Sequence, residues 1–188
     1  MKNTLSKFFP LKNDEFRIFL FHGVIKKNKS IIRNYNNKHI IQKKFIDTLK
    51  FLKRSGNALD INELYFNIKN KIKLPKNSYL ITFDDGFENN YSVAAPILDD
   101  LRIPTCFYFS TDFIENNTIS WIDKIEYMIE KTREKSLLLP WANNKNLINN
   151  KKNKIIFLQK IRKFVKKNFS VDISRLLDQL SEATKIKI

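Results

Sequence analysis

Cysteine, histidine and glycine are scarce in this chain, and each scarcity closes off a class of chemistry. Cys106 is the one cysteine among 188 residues, which excludes an intrachain disulfide. It stands in an apolar segment with no histidine beside it in sequence, so it reads as a core thiol rather than a nucleophile. Histidine is limited to His22 and His39. The three glycines, Gly23, Gly56 and Gly86, form no phosphate-cradling loop, and each reads as a turn. No stretch reaches the roughly 20 apolar residues of a membrane span. Met1 to Pro10 carries lysines but no apolar run of signal-peptide length. The expectation is a cytoplasmic protein that does not pass through Sec, with envelope association as the alternative.

What is abundant is positive charge. Lys and Arg number 35 against 19 Asp and Glu, a net charge of +16, while 43% of residues are hydrophobic and 13% aromatic. That composition suits a soluble single domain. Residues 131–188 hold 15 basic and 4 acidic side chains, a balance that can attract nucleic acid, anionic lipid or an acidic polysaccharide. Within this region Ile155, Ile156, Phe157, Leu158, Ile161, Phe164 and Val165 alternate with Lys154, Lys160, Arg162, Lys163, Lys166 and Lys167. This is a basic amphipathic helix pattern. A plainer reading is a solvated basic face, because 22 asparagines and a general richness in Lys and Ile suggest a compositional bias of the whole chain. Contact with a membrane surface remains the second reading, and nucleic acid is not favoured.

The chemistry concentrates in Thr82-Phe83-Asp84-Asp85-Gly86, which ends the apolar run Tyr79-Leu80-Ile81. Adjacent carboxylates repel, and burial raises their pKa values. Side chains alternate along a strand, but at its mouth the chain can turn so that both carboxylates reach one cleft. Gly86 tolerates the backbone angles that such a turn requires. A metal ion would offset the repulsion and divide the work, one carboxylate as ligand and one as base. A strand followed by an ordinary Asp-Gly turn is the bland alternative. The surrounding pattern predicts strands at about 16–22, 79–83 and 105–110, with a short one near 57–61. Helices fit 42–55, 91–101, 121–132, 152–168 and 173–182, and the polar stretch from Ala142 to Asn153 reads as loop. Phe45, Ile46, Leu49 and Leu52 share one helical stripe, as do Trp121, Ile122, Ile125, Met128 and Ile129; both are read as core.

Strand, carboxylate turn, short helix over Asn90 to Leu98, then Arg102-Ile103-Pro104-Thr105 and a further strand resembles the polysaccharide deacetylases, the NodB-homology or carbohydrate esterase family 4 domain. The resemblance runs from about Phe16 to Trp121. It includes Phe19-Leu20-Phe21-His22-Gly23-Val24, Phe109-Ser110-Thr111-Asp112-Phe113-Ile114 and Trp121-Ile122-Asp123. It implies removal of an N- or O-acetyl group from a glycan, with release of acetate. In that light Asp84 is the general base toward the attacking water, and Asp85 is a ligand of a divalent metal, usually zinc, which polarises the carbonyl. His22 is a candidate for lining the site or, equally, for capping its strand. His39, ahead of a helix starting near Gln42, reads as surface loop or helix entry.

The chain also departs from that family. The expected His-x-x-x-His ligand pair, the Arg-x-Pro segment and the late acid histidine are absent, and no histidine follows Asp85. One carboxylate, even with His22, falls short of the three protein ligands of a catalytic zinc. A complete (β/α) barrel needs roughly 200 residues or more. The expected fold is therefore α/β, a partial (β/α) barrel of the polysaccharide deacetylase type with its N-terminal part only. It is read as one incomplete domain: a lead at 1–15, a barrel half at 16–120 and a basic helical insertion or tail at 121–188. An unpaired barrel edge implies marginal stability, self-association or a separate C-terminal half as partner. On this reading the chain is a metal-dependent carbohydrate deacetylase that is inactive alone; the alternative is a non-catalytic carbohydrate- or envelope-associated binding protein.

Overall fold

A computed structural model describes residues 6–12, 15–27 and 30–188, so the expected N-terminal lead lies partly outside the described residues. The backbone gathers into two compact units, one of residues 1–28 and 37–111, the other of residues 29–36 and 112–188.

In the first unit the elements in chain order are β1 (Phe16–Phe21), β2 (Gly23–Ile25), β3 (His39–Ile41), α1 (Gln42–Ser55), β4 (Asn57–Ala58), α2 (Ile61–Lys69), β5 (Ser78–Phe83), α3 (Ala95–Leu101) and β6 (Thr105–Phe107). All six residues of β5 are buried. A strand apolar on both faces belongs inside a parallel sheet covered on both sides, and that is where β5 lies. β1 pairs with it in parallel from Phe16↔Ser78 to Phe21↔Phe83. Its other edge is shared by β4, at Asn57↔Ser78, and β6, at Ile81↔Thr105 through Phe83↔Phe107. Separately, β2 and β3 form a short parallel pair.

Alternation along β5 sends Tyr79, Ile81 and Phe83 to one face. There they meet Phe45, Leu49 and Leu52 of α1, the stripe expected from helical spacing. Leu80 points the other way and joins Leu59 and Leu64. The helix carrying Leu64 is not anticipated by the sequence pattern. Asp60 caps it, accepting from the Asn62 N–H at 2.7 Å, as a short polar side chain at that position should. The expected strand at 57–61 is cut to two residues because this cap takes over. The strand expected at 105–110 ends at Phe107, and Cys106 within it is half-buried rather than a fully buried core thiol.

The second unit contains α5 (Trp121–Lys131), β7 (Ser136–Leu138), β8 (Lys145–Leu147), α6 (Lys151–Lys167) and α7 (Ile173–Thr184), after a short α4 (Thr111–Glu115). Its core joins Ile125, Met128 and Ile129 of α5 to Phe157, Leu158 and Ile161 of α6 and to Leu176 and Leu180 of α7. The apolar face of the basic helix is thus turned inward, which removes the basis for laying it on a membrane. The expected loop at 142–153 is overturned in part. β8 pairs antiparallel with β7, and α6 begins at Lys151 with Asn150 as its cap. No helix among the described residues is long and apolar enough to cross a membrane.

Candidate active site

Parallel pairing aligns strand ends, and the carboxyl ends of such strands are where open α/β sheets form clefts. Here β1, β5 and β6 all finish on one edge of the sheet. The ladder runs one step past the regular strands: the Asp84 N–H donates to Phe21 O at 3.0 Å, and the Tyr108 N–H donates to Phe83 O at 2.8 Å. His22 is therefore the next residue after β1, Asp84 the next after β5, and Tyr108 the next after β6. The sequence pattern places the first two at the mouth of the sheet. It misses Tyr108 and Phe109, taken there for a buried strand, although both are at least half exposed.

Asp84 follows β5 directly, and the turn begins at the second carboxylate. Asp85 has φ 72° and Gly86 φ 65°, two successive left-handed residues. The left-handed region is accessible to Gly and, at a cost, to Asp and Asn. The expectation assigned the unusual angles to Gly86 alone, but Asp85 shares them. Both carboxylates are half-buried. A Cβ added to Gly86 would lie 2.6 Å from Phe109 Cδ1, so the exposed Phe109 ring abuts the carboxylate loop. The Tyr108 phenol is held above its usual range, first by its hydrogen bond and charge interaction with Cys106 and, to a lesser degree, by the negative charge of Asp84. It stays a hydrogen-bond donor at neutral pH.

Behind the loop stands a second polar layer. The Asn89 side chain accepts from the Val24 N–H at 3.2 Å, and its Nδ2 lies 3.2 Å from His39 Nδ1. His39 meets Phe87 edge-on, ring centroids 4.6 Å apart. A Cβ at Gly23 would come within 2.1 Å of His39 Nδ1 and 2.6 Å of Asn89 Oδ1, so that glycine makes room for the pair. His39 is thus a half-buried strand residue opposite Gly23, in the short strand that enters the helix at Gln42; of the two expectations, surface loop or helix entry, the second holds. Asn90, almost fully buried at the start of a π-helical turn over Asn90–Ala94, has no hydrogen-bond partner for either amide atom. Thr82 Oγ1 has none either. Buried polar atoms are normally paired, and π-turns often accompany functional sites.

The fit to a metal is poor. Among the described residues no group of three or more His, Cys, Asp and Glu side chains can hold a metal ion. His22, Asp84 and Asp85 share one edge without converging into a three-donor set, so a resident zinc does not fit these residues unaided.

Comparison with known proteins shows what the chain is similar to. The chain is 31% identical over 153 residues to the poly-β-1,6-N-acetyl-D-glucosamine N-deacetylase of Staphylococcus aureus strain MSSA476, covering 73% of this chain and 51% of that protein. The protein of strain COL matches equally. The chain thus spans about half the length of the curated relatives it matches. Among solved structures, IcaB from Ammonifex degensii matches with a TM-score of 0.44 and 24% identity over 54% of this chain and 40% of that one. A de-N-acetylase from Aggregatibacter actinomycetemcomitans matches with a TM-score of 0.46 and 21% identity over 77% and 51%. No protein-family model matches the chain. The chain that carries this Asp-Asp-Gly turn at the carboxyl edge of a parallel sheet is thus similar, over about half of their length, to proteins named as polysaccharide N-deacetylases.

Proposed function

We propose that this chain supplies the carboxylate half of a hydrolytic site that removes N-acetyl groups from a glucosamine-containing polysaccharide. The single observation that carries this reading is the placement of Asp84 and Asp85 where β5 leaves the sheet, between the ends of β1 and β6. In the proposed reaction water adds to the acetamide carbon and the C–N bond breaks, giving acetate and a free amine. Asp84 takes the proton of the attacking water. Asp85 is assigned as a carboxylate donor to a divalent metal whose remaining ligands come from outside these residues. His22 lines the cleft, and the protonated Tyr108 phenol and the Phe109 ring offer a hydrogen bond and an apolar face to the sugar. The fold proposed with this chemistry is a partial (β/α) barrel, to which both compact units belong as one incomplete deacetylase domain.

The test is acetate release from oligomers of β-1,6-linked N-acetylglucosamine in the presence of zinc, with and without the C-terminal half of the Staphylococcus aureus relative added as a separate chain. The expected result is little turnover alone and a gain on complementation. Asp84→Asn should remove that gain on the order of 10²–10⁴-fold, the range of general-base contributions. Asp85→Asn should abolish zinc uptake by the mixture. A second reading, a glycan-binding protein without catalysis, is favoured by the lack of a metal-holding cluster among the described residues. It would be supported by oligomer binding that ignores both zinc and Asp85→Asn, and that result would sink the hydrolytic reading.

A further inference from the structure

We infer that the second unit carries a binding site for an anionic glycan, in the cleft between the segment leading into β8 and the exposed side of α6. This inference does not depend on the hydrolytic reading. The cleft has a volume of about 510 Å³, within the range of roughly 300–1,000 Å³ typical of ligand sites. Trp141 and Phe164 line it as a pair of nearly parallel rings, 3.7 Å between centroids and 6° between planes. Lys160, Lys163 and Lys167 line it too. Their spacing of three and four residues puts them on one side of α6, with Phe164 among them. The rest of the lining is largely asparagine, Asn146 and Asn168 included, and no carboxylate takes part.

Three ammonium groups at one cleft repel each other unless an anion joins them. Lys160 is steadied by a 2.6 Å hydrogen bond to Asn146 Oδ1, a neutral partner that leaves the charge uncompensated. The helix dipole rationalises basic residues in the last turn of α6, where Lys166 and Lys167 sit. It does not reach Lys160, two turns earlier, and it does not explain why the lysines surround an aromatic pair. A sugar ring matches the combination. Its axial C–H groups pack on aromatic faces, its hydroxyls pair with amide side chains, and a carboxylate or phosphate substituent would meet the lysines in charge-assisted hydrogen bonds. A bilayer is disfavoured because Phe157, Leu158 and Ile161 of the same helix are buried in the core and cannot insert. A nucleic-acid strand would need a basic groove that tracks its backbone, whereas these lysines gather around one open cleft.

The experiment is calorimetric titration of the whole chain with a hyaluronan hexasaccharide, compared with N-acetylglucosamine hexamer, a single-stranded oligonucleotide of similar charge, and phosphatidylglycerol vesicles. The expected result is preferential binding of hyaluronan, weakened about tenfold or more in the Lys163→Gln/Lys167→Gln variant through loss of two charge-assisted contacts. The Trp141 indole resonance, assigned with Trp141→Phe, should shift on titration. Both lysines are exposed, so the variant is expected to fold and circular dichroism would verify it. Equal binding of the neutral hexamer, tighter binding of the oligonucleotide or vesicles, or an unchanged affinity in the lysine variant would each overturn the proposal.

Discussion

A methyl group added at Gly86 would stand 2.6 Å from Phe109 Cδ1 on a backbone with φ +65°. Both the backbone penalty and the displaced ring act against any larger residue there. Gly86→Ala is expected to lower stability by about 1–2 kcal/mol, read as a shift in urea midpoint with an unchanged m-value. No shift would mean that the loop relaxes without resistance. Asp85, with φ 72°, stands in the same left-handed region, which Asp tolerates better than most side chains do. The sequence already marks Gly86 and both carboxylates, because a charged pair at the end of an apolar run is conspicuous. It could not mark Tyr108, whose place at the mouth of the sheet comes from a backbone hydrogen bond to Phe83, twenty-five positions away.

Among the elements, α5 is tied down by one carboxylate. Glu130 accepts from the Ile32 and Arg33 N–H groups, each at 3.1 Å, and from the Ser30 hydroxyl, so the short segment 30–33 is bound to α5 through it. Burial pushes its pKa up, but the hydrogen bonds from Ser30, Arg33 and Ile32 and the Arg33 charge outweigh that and leave it below the usual value. A carboxyl depressed in the folded state stabilises fully above its unfolded value, about 4.3, and loses that contribution as pH falls through the folded value. Acid unfolding of the wild type should therefore steepen below about pH 4.3. Glu130→Gln is expected to cost about 1–3 kcal/mol at neutral pH and to flatten that dependence. Identical curves for the two proteins would show that the contact adds nothing. The helices at 42–55, 121–131, 151–167 and 173–184 were readable because each puts apolar residues on a single stripe. The β7–β8 hairpin was not, because its polar residues follow no period and only pairing across the turn makes them strands.

Over the molecule as a whole, β1 is the element expected to govern association in solution. Ile18 and Leu20 are 54% and 52% exposed although their register partners Leu80 and Thr82 are buried, and among the described residues no strand pairs with the outer edge of β1. An apolar, unpaired edge invites another chain. Leu20→Lys is expected to reduce concentration-dependent self-association in sedimentation velocity while leaving the fold intact; equal association in the variant would show that contact lies elsewhere. The sequence by itself determined the central strand, the four longer helices and the Asp-Asp-Gly turn, because burial on both faces, helical period and adjacent charges are local patterns. Tertiary structure alone decided what those elements meet. It set Tyr108 beside Asp84 and His39 beside Asn89, it divided the buried apolar side chains among three clusters, and it turned the apolar face of the basic helix inward. Those outcomes depend on pairings between residues far apart in the chain, and no window of sequence contains both partners.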